Sequence, residues 1–272
     1  MTDNGAWGGD GEDPWLPARL AATVAVAVAE LSIYTALWRE LKPWLATVAR
    51  AVLTRGRVDP AGVWSTAPAW SSSVARVVDG PIRDTLAGPY RTLLGAGFHF
   101  DERAAATAHL SAATNRMVRT PDEVFSLITR ELAAGANRGE SIPKLAARVE
   151  RVLSATDTQR WPNRATVIAR TETLGALNAG RQDAFAATAA ALNKPFDQMW
   201  IATLDGRTRS AHRIADRQRV PVGSMFTVGG WPMRYPGDPA APGDQTIQCR
   251  CTTVLMEPDE TVDLTYRQML NY

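Results

Sequence analysis

From Val24 onward apolar side chains recur at alternating intervals of three and four residues, through Ala27, Leu31, Tyr34, Trp38, Leu41, Leu45, Val48 and Val52. That spacing predicts an amphipathic helix with a heptad stripe. Pro43 falls inside it, and because proline removes a backbone donor and crowds the preceding turn, a kink or restart is expected near Lys42. The stripe reads first as a face turned to its own core. Its other use is docking of a partner, with Leu31, Trp38 and Trp44 as anchors.

Residues 54–97 are punctuated by Asp59-Pro60, Ala67-Pro68, Gly80-Pro81 and Gly88-Pro89. They predict short helical pieces, such as 74–78 and 82–86, and no long regular element. A domain boundary is expected between about residue 98 and Thr120. Thr120-Pro121-Asp122-Glu123 then supplies an N-cap, a proline at the first helical position and a capping-box carboxylate, followed by Val124, Leu127, Ile128 and Leu132. Gly135 and Gly139 close that helix, and Ser141 opens another with Leu145, Val149 and Val152 on its buried face. A third begins near Asn163, presents Val167, Ile168, Thr171, Leu174 and Leu177, and runs on to Leu192, where Asn193 and Pro195 stop it.

After Pro195 the period shortens. Residues 198–204, 225–228 and 246–255 read as strands, and 207–218 as a helix. The fold class is therefore α+β: a predominantly helical N-terminal region, a helical layer and a small mixed α/β C-terminal unit. The chain divides into a flexible tail over 1–15, a helical region with Pro/Gly-rich connections over 16–120, a second domain over 121–256 and a tail over 257–272.

Composition limits the functional classes. The 272 residues carry 30 Lys and Arg against 28 Asp and Glu, so any basic function must be local. Only Lys42, Lys144 and Lys194 are lysines, an arginine bias that a GC-rich genome explains as well as phosphate recognition does. Two cysteines exclude an extracellular disulfide framework and point to a reducing compartment. On a strand, Cys249 and Cys251 would lie about 6.6 Å apart at Cα, near the limit of a disulfide. No apolar run reaches membrane-spanning length, and Asp3, Asp10, Glu12 and Asp13 make the leader unlike a secretory signal.

Three constellations carry candidate chemistry. Arg209, Arg213 and Arg217 are four residues apart, and on one helix face they would form a row able to follow a phosphate backbone. The stretch 199–234 holds six arginines against two aspartates, a net of +4. Structural pairing with Asp205 and Asp216 is the competing reading. His212, Cys249 and Cys251 have the donor types for zinc, with Asp205 or Asp216 as fourth ligand, yet a single residue between the cysteines favours a buried thiol pair over a metal site. No metal and no cofactor are expected. His109 and Ser111 are the nearest approach to a nucleophile and base, and no G-x-S-x-G, H-E-x-x-H or Walker A motif occurs. Arg170 and Glu172 project about 200° apart on their helix, so each should pair with another segment, an arginine of this helix reaching Asp205 or Asp238.

Taken together, 168–173 (Ile-Ala-Arg-Thr-Glu-Thr) with Asn178 and Gly180-Arg181, Trp200 followed by 203–209 (Thr-Leu-Asp-Gly-Arg-Thr-Arg) and His212, and 235–239 (Tyr-Pro-Gly-Asp-Pro) leading to Cys249-Arg250-Cys251 form one ordered pattern. It resembles the Mu F-like minor head proteins of tailed bacteriophages over about residues 121–256. Two positions depart from that pattern: Arg217 stands where the family often has glycine, and Gln248 where it often has asparagine. The first challenges any turn geometry that needs positive φ.

The resemblance implies a virion component inside the head, in contact with the portal protein or the major capsid protein, acting in assembly, packaging or genome ejection. It also makes arginine contacts with packaged DNA plausible, and assigns Arg170, Glu172, Trp200, Asp205, Arg207, Arg209, His212, Asp238, Cys249, Arg250 and Cys251 as motif residues. A capsid-maturation protease, and behind it an ADP-ribosyltransferase-like enzyme, is the alternative class.

Overall fold

A computed structural model describes residues 16–54, 57–94, 120–154 and 160–260, together with 107, 109, 111, 117 and 119. The expected tail over 1–15, the expected tail over 257–272 beyond its first four residues, and most of the expected boundary segment lie outside these residues. The architecture is α+β. Among the described residues, five helices come first: α1 (Leu16–Val52), α2 (Gly62–Leu94), α3 (Thr120–Ala136), α4 (Ile142–Leu153) and α5 (Arg160–Leu192). A two-residue ribbon, β1 (Leu53–Thr54) with β2 (Arg57–Val58), joins α1 to α2. The C-terminal unit comprises β3 (Asp197–Ile201), α6 (Ser210–Ala215), β4 (Arg219–Pro221), β5 (Phe226–Val228), β6 (Trp231–Met233), α7 (Gly243–Thr246) and β7 (Thr252–Met256).

The proline-rich stretch is not a chain of short pieces. α2 runs for 33 residues through Pro68, Pro81 and Pro89, and α1 continues through Pro43 without a restart. Two physical reasons account for the difference. Pro43 and Pro68 lie on the exposed side, where the carbonyl each one releases can meet water, and glycine precedes both Pro81 and Pro89, removing the Cβ that clashes with a following proline ring. The opposite faces then bury Val63, Trp70, Val74, Val78, Ile82 and Leu86 against Leu41, Leu45, Val48 and Val52 in a single apolar core. Burial of such side chains at about 1.5–3 kcal/mol each outweighs a few lost helix bonds.

The heptad stripe of α1 matches the core from Leu41 onward. Before that the buried positions are Val26, Ile33 and Leu37, while Leu31 is 64% exposed and Tyr34 and Trp38 are only half-buried. A straight helix turns past a strict 3.5-residue repeat, which is why the alternating count drifts off the core face toward one end. Trp44 is not free for a partner. It is buried, packs at 4.8 Å against Trp70 with the rings tilted by 36°, and donates from Nε1 to the Thr66 carbonyl.

α3 starts one residue earlier than predicted, with Arg119 rather than Thr120 at the N-cap, and the capping box does not form. The Thr120 hydroxyl donates to the Met117 carbonyl, and Glu123 accepts from Arg164 of α5 instead. α5 is buried almost all round between Ile168 and Gly180, as a helix packed on several sides must be. At Gly180 the backbone of α2 comes so close that an added Cβ would sit 2.1 Å from the Leu86 carbonyl oxygen.

In the C-terminal unit β3 is the central strand of an antiparallel sheet ordered β4-β3-β7. Strand alternation sends Trp200 into one cluster with Phe226, Val228, Met233, Cys249 and Cys251, and sends Met199 and Ile201 to the other face with Met256. The strand expected over 246–255 begins only at Thr252: residues 243–246 form α7, and both cysteines sit in the approach to β7.

Candidate functional site

The signature residues converge where α5 meets the C-terminal unit. Asn178 is buried and its Nδ2 donates to the carbonyls of Pro236 and Cys251, each at 3.0 Å. Its Oδ1 accepts from Arg181 Nη1 at 3.0 Å and from the Thr252 hydroxyl at 3.2 Å. One turn earlier Gly175 lies backbone to backbone against Gly237, and two turns earlier Thr171 Oγ1 accepts from the Gln248 backbone N–H at 3.1 Å. Glu172 is buried beside His109, with 3.9 Å between Oε2 and Nε2. The face of α5 that carries Thr171, Gly175 and Asn178 is therefore the clamp, set by helical spacing.

A second knot centres on Asp205. Its carboxylate accepts from Arg250 Nη1 and Nη2 at 2.5 and 2.7 Å and from the Arg207 backbone N–H at 2.9 Å, while the Thr203 hydroxyl donates to the Arg250 carbonyl. The Arg250 guanidinium holds the Asp205 carboxyl well below the usual carboxylate range. A third knot is the 234–240 turn, where Asp238 accepts from Arg234 Nε and Nη2 and from the backbone N–H groups of Arg234 and Ala240. Burial works against ionisation of Asp238, and these donors overcome it, leaving its carboxyl below the ordinary value.

These contacts correct one expectation. Arg170 reaches neither Asp205 nor Asp238; it is exposed and lies 3.5 Å from Glu30 of α1. Asn178, Arg181 and Thr171 are what join α5 to the C-terminal unit. Arg234 and its partner Asp238 are four residues apart, but they lie in a turn, where helical spacing carries no signal. The Glu172–His109 approach had none either, because 63 residues separate them.

The arginine row is also corrected. α6 spans only Ser210–Ala215, so Arg209 precedes it and Arg217 follows it. Arg209 donates to the Ile247 carbonyl, and Arg213 folds back onto the carbonyls of Thr208 and Asp205. Arg217 adopts φ +65° and donates its backbone N–H to the Trp200 carbonyl at 2.8 Å, its guanidinium lying 3.6 Å from Asp216. The left-handed turn is thus kept without glycine. Gln248 likewise takes φ +55°. A separate concavity of about 460 Å³ gathers Arg170, Arg207, Arg209 and Arg250, with Glu30 at its edge.

His212, Cys249 and Cys251 come together although neither helix nor strand periodicity links them. His212 Nδ1 lies 3.4 Å from Cys251 Sγ and 3.6 Å from Cys249 Sγ, and all three side chains are buried. Trp200 packs edge-on against the imidazole at 5.7 Å. The hydrogen bond from Cys251, aided by His212, brings the Cys249 thiol well below its ordinary value against the effect of burial; sharing with Cys249, together with burial, pushes Cys251 up. Asp205 and Asp216, the expected fourth ligands, are committed elsewhere, Asp216 accepting from the Ala202 N–H at 2.9 Å.

The His109–Ser111 pair is not assembled. His109 is buried and Ser111 is exposed, as two residues two apart on a helix must face different ways. A cavity of about 540 Å³ between α5 and the 239–247 segment is lined by Arg119, Glu123, Arg164, Glu172, Trp231 and Ile247 among others, and no serine, cysteine or histidine is among its described lining residues. No described helix is long and apolar enough to cross a membrane.

Comparison with known proteins agrees with the motif pattern. Residues 126–254 match the family model described as Phage Mu protein F like protein. Among curated proteins, the NAD(+)--arginine ADP-ribosyltransferase EFV of Enterococcus faecalis (strain ATCC 700802 / V583) is 27% identical over 141 residues, which are 52% of this chain and 28% of that protein. The chain thus spans little more than a quarter of the length of that relative. No solved structure matches the chain.

Proposed function

We propose that this chain, whose residues 126–254 match the family model of Phage Mu protein F like protein, is a structural minor head protein seated inside the shell beside the portal. There it acts in head assembly and in packaging or ejection of the genome. The observation that carries this reading is where the signature side chains are used. Asn178, Arg181, Asp205, Asp238 and Arg250 bond to the chain's own backbone and to one another. A site that transforms a substrate turns such groups toward a cleft with a nucleophile or base in reach. Here they lock a loop-rich unit onto a long helix.

In this reading residues 16–120 serve docking and 121–256 form the scaffold. The contact with the portal or the major capsid protein is made by the outer face of α1, where Val24, Val28 and Leu31 are each at least 60% exposed at successive intervals of four and three residues. That face replaces Trp44, which serves the core. Contact with packaged DNA falls to the Arg170–Arg207–Arg209 concavity, since Arg213 is bonded to the carbonyls of Thr208 and Asp205 and Arg217 lies beyond the end of α6. The transferase activity in the relative's name belongs to a protein of which this chain covers 28%, and the Arg170-Thr171-Glu172 run divides between exposed and buried positions.

The test is incorporation. Val24→Glu with Val28→Glu and Leu31→Glu changes only exposed positions, so folding by circular dichroism is expected to hold while the amount of chain in purified heads falls at least tenfold. Undiminished incorporation rejects docking through this face. Purified chain that cleaves coat subunits would reject the structural role itself.

A further inference from the structure

We propose that His212, Cys249 and Cys251 form a zinc site that staples α6 to the approach of β7. The three donor atoms lie within 4.8 Å of one another and arrive from segments 37 and 39 residues apart. In tetrahedral zinc coordination, bond lengths of about 2.3 Å to sulfur and 2.0–2.1 Å to nitrogen place nitrogen and sulfur about 3.5 Å apart. The two observed separations, 3.4 and 3.6 Å, bracket that edge. A metal ion can therefore sit below the three donors without movement of the backbone.

Hydrogen bonding alone explains the cluster less well. A neutral imidazole has one acceptor lone pair and can serve one thiol, yet both sulfurs stand at contact distance from the same Nδ1. All three donors are buried, and Nε2 of His212 and Nε1 of Trp200, packed edge-on against the imidazole, have no hydrogen-bond partner among the described residues. The nearby cation Arg250 is held by Asp205, so a divalent ion bound to two thiolates would leave the buried cluster neutral, where an uncompensated charge would be costly.

Three protein ligands leave the fourth position to water or another small donor. Binding displaces the thiol protons, so it strengthens as pH rises through the thiol range. The role is structural: Trp200, His212 and both cysteines sit in the apolar cluster that closes the C-terminal unit.

The experiment uses the full chain, reduced and freed of metal, titrated with zinc and separately with cobalt(II). One equivalent of zinc per chain is expected, with a raised melting temperature and thiolate-to-cobalt charge-transfer absorption. At free zinc one hundred times its dissociation constant the folded-to-unfolded ratio should rise about a hundredfold. Cys249→Ser and Cys251→Ser should each abolish the cobalt band. The unmutated chain supplies a second readout that does not depend on how those variants fold: zinc should slow alkylation of both thiols, and chelator should restore it. Sub-stoichiometric zinc, an unmoved melting temperature, or equal alkylation with and without zinc overturns the site. Tight binding of copper(I) that zinc does not displace overturns the choice of metal.

Discussion

The side chain of Asn178 on α5 donates to the carbonyl of Cys251, 73 residues later, across a 3.0 Å hydrogen bond. The same amide holds Pro236, and the same oxygen takes Arg181 and Thr252. One asparagine thus ties the helix to both loops that carry signature residues. A side chain that both donates and accepts is needed at this place, since carbonyls lie on one side and donors on the other.

Asn178→Ala should cost about 2 kcal/mol or more, since buried carbonyls left without a partner cost about 1–3 kcal/mol each. Asn178→Asp should cost more, because it sets a carboxylate against the two carbonyls. Urea unfolding of the three proteins checks the order. An alanine variant as stable as the parent would show that water replaces the amide.

Arg217→Gly should stabilise the chain by up to about 1 kcal/mol. A left-handed backbone costs a residue with a Cβ about 1–2 kcal/mol, part of which glycine returns through the entropy of the unfolded chain. The half-exposed Arg217–Asp216 contact adds little. Gln248→Asn should act in the same direction, more weakly, at φ +55°. Calorimetry should show a higher midpoint for both, and a lower one for Arg217→Gly would assign the arginine a partner that outweighs its backbone.

Gly180→Ala should destabilise by about 1–3 kcal/mol or more, the usual range for overpacking, because the new Cβ meets the Leu86 carbonyl oxygen and the backbone of α2 must move. The shift should appear as faster amide exchange around Leu86. Wild-type protection at Leu86 would argue against the close approach of α2 and α5.

Stability should fall as pH drops below about 4. The Asp238 carboxyl is below its ordinary value in the folded chain, so in this region the unfolded chain binds more protons than the folded one. Its contribution is complete above the unfolded value near 3.9 and is lost as pH falls through the folded value. Asp205, held down by Arg250, acts in the same sense. Asp183, which burial pushes up, acts in the opposite sense at higher pH. Denaturation midpoints between pH 5 and 2 should decline less steeply for Asp238→Asn than for the parent. Equal slopes would remove Asp238 from the acid response.

Local chemistry made several elements readable from the chain alone: the start of α3 to within one residue, its close at Gly135–Gly139, the length of α5 to Leu192, and the alternation that buries Trp200. Each depends on neighbours within a turn or a strand pair. The ordered motif pattern likewise pointed to about residues 121–256, within which the family model matches 126–254. α2 was not readable, because prolines forbid a helix locally and only its packing on α1 and α5 outweighs them. The arginine row was misread because spacing of four has meaning only on a helix, and α6 ends before Arg217.

The sequence by itself determined which donors, acceptors and apolar faces exist and where regular structure begins. The tertiary structure alone decided their partners: Arg170 beside Glu30, Asn178 on Cys251, and His212 against two sulfurs. Periodicity encodes proximity over a few residues, whereas contacts across 37 to 140 positions follow from how whole helices and sheets pack, and no short-range pattern carries that distance.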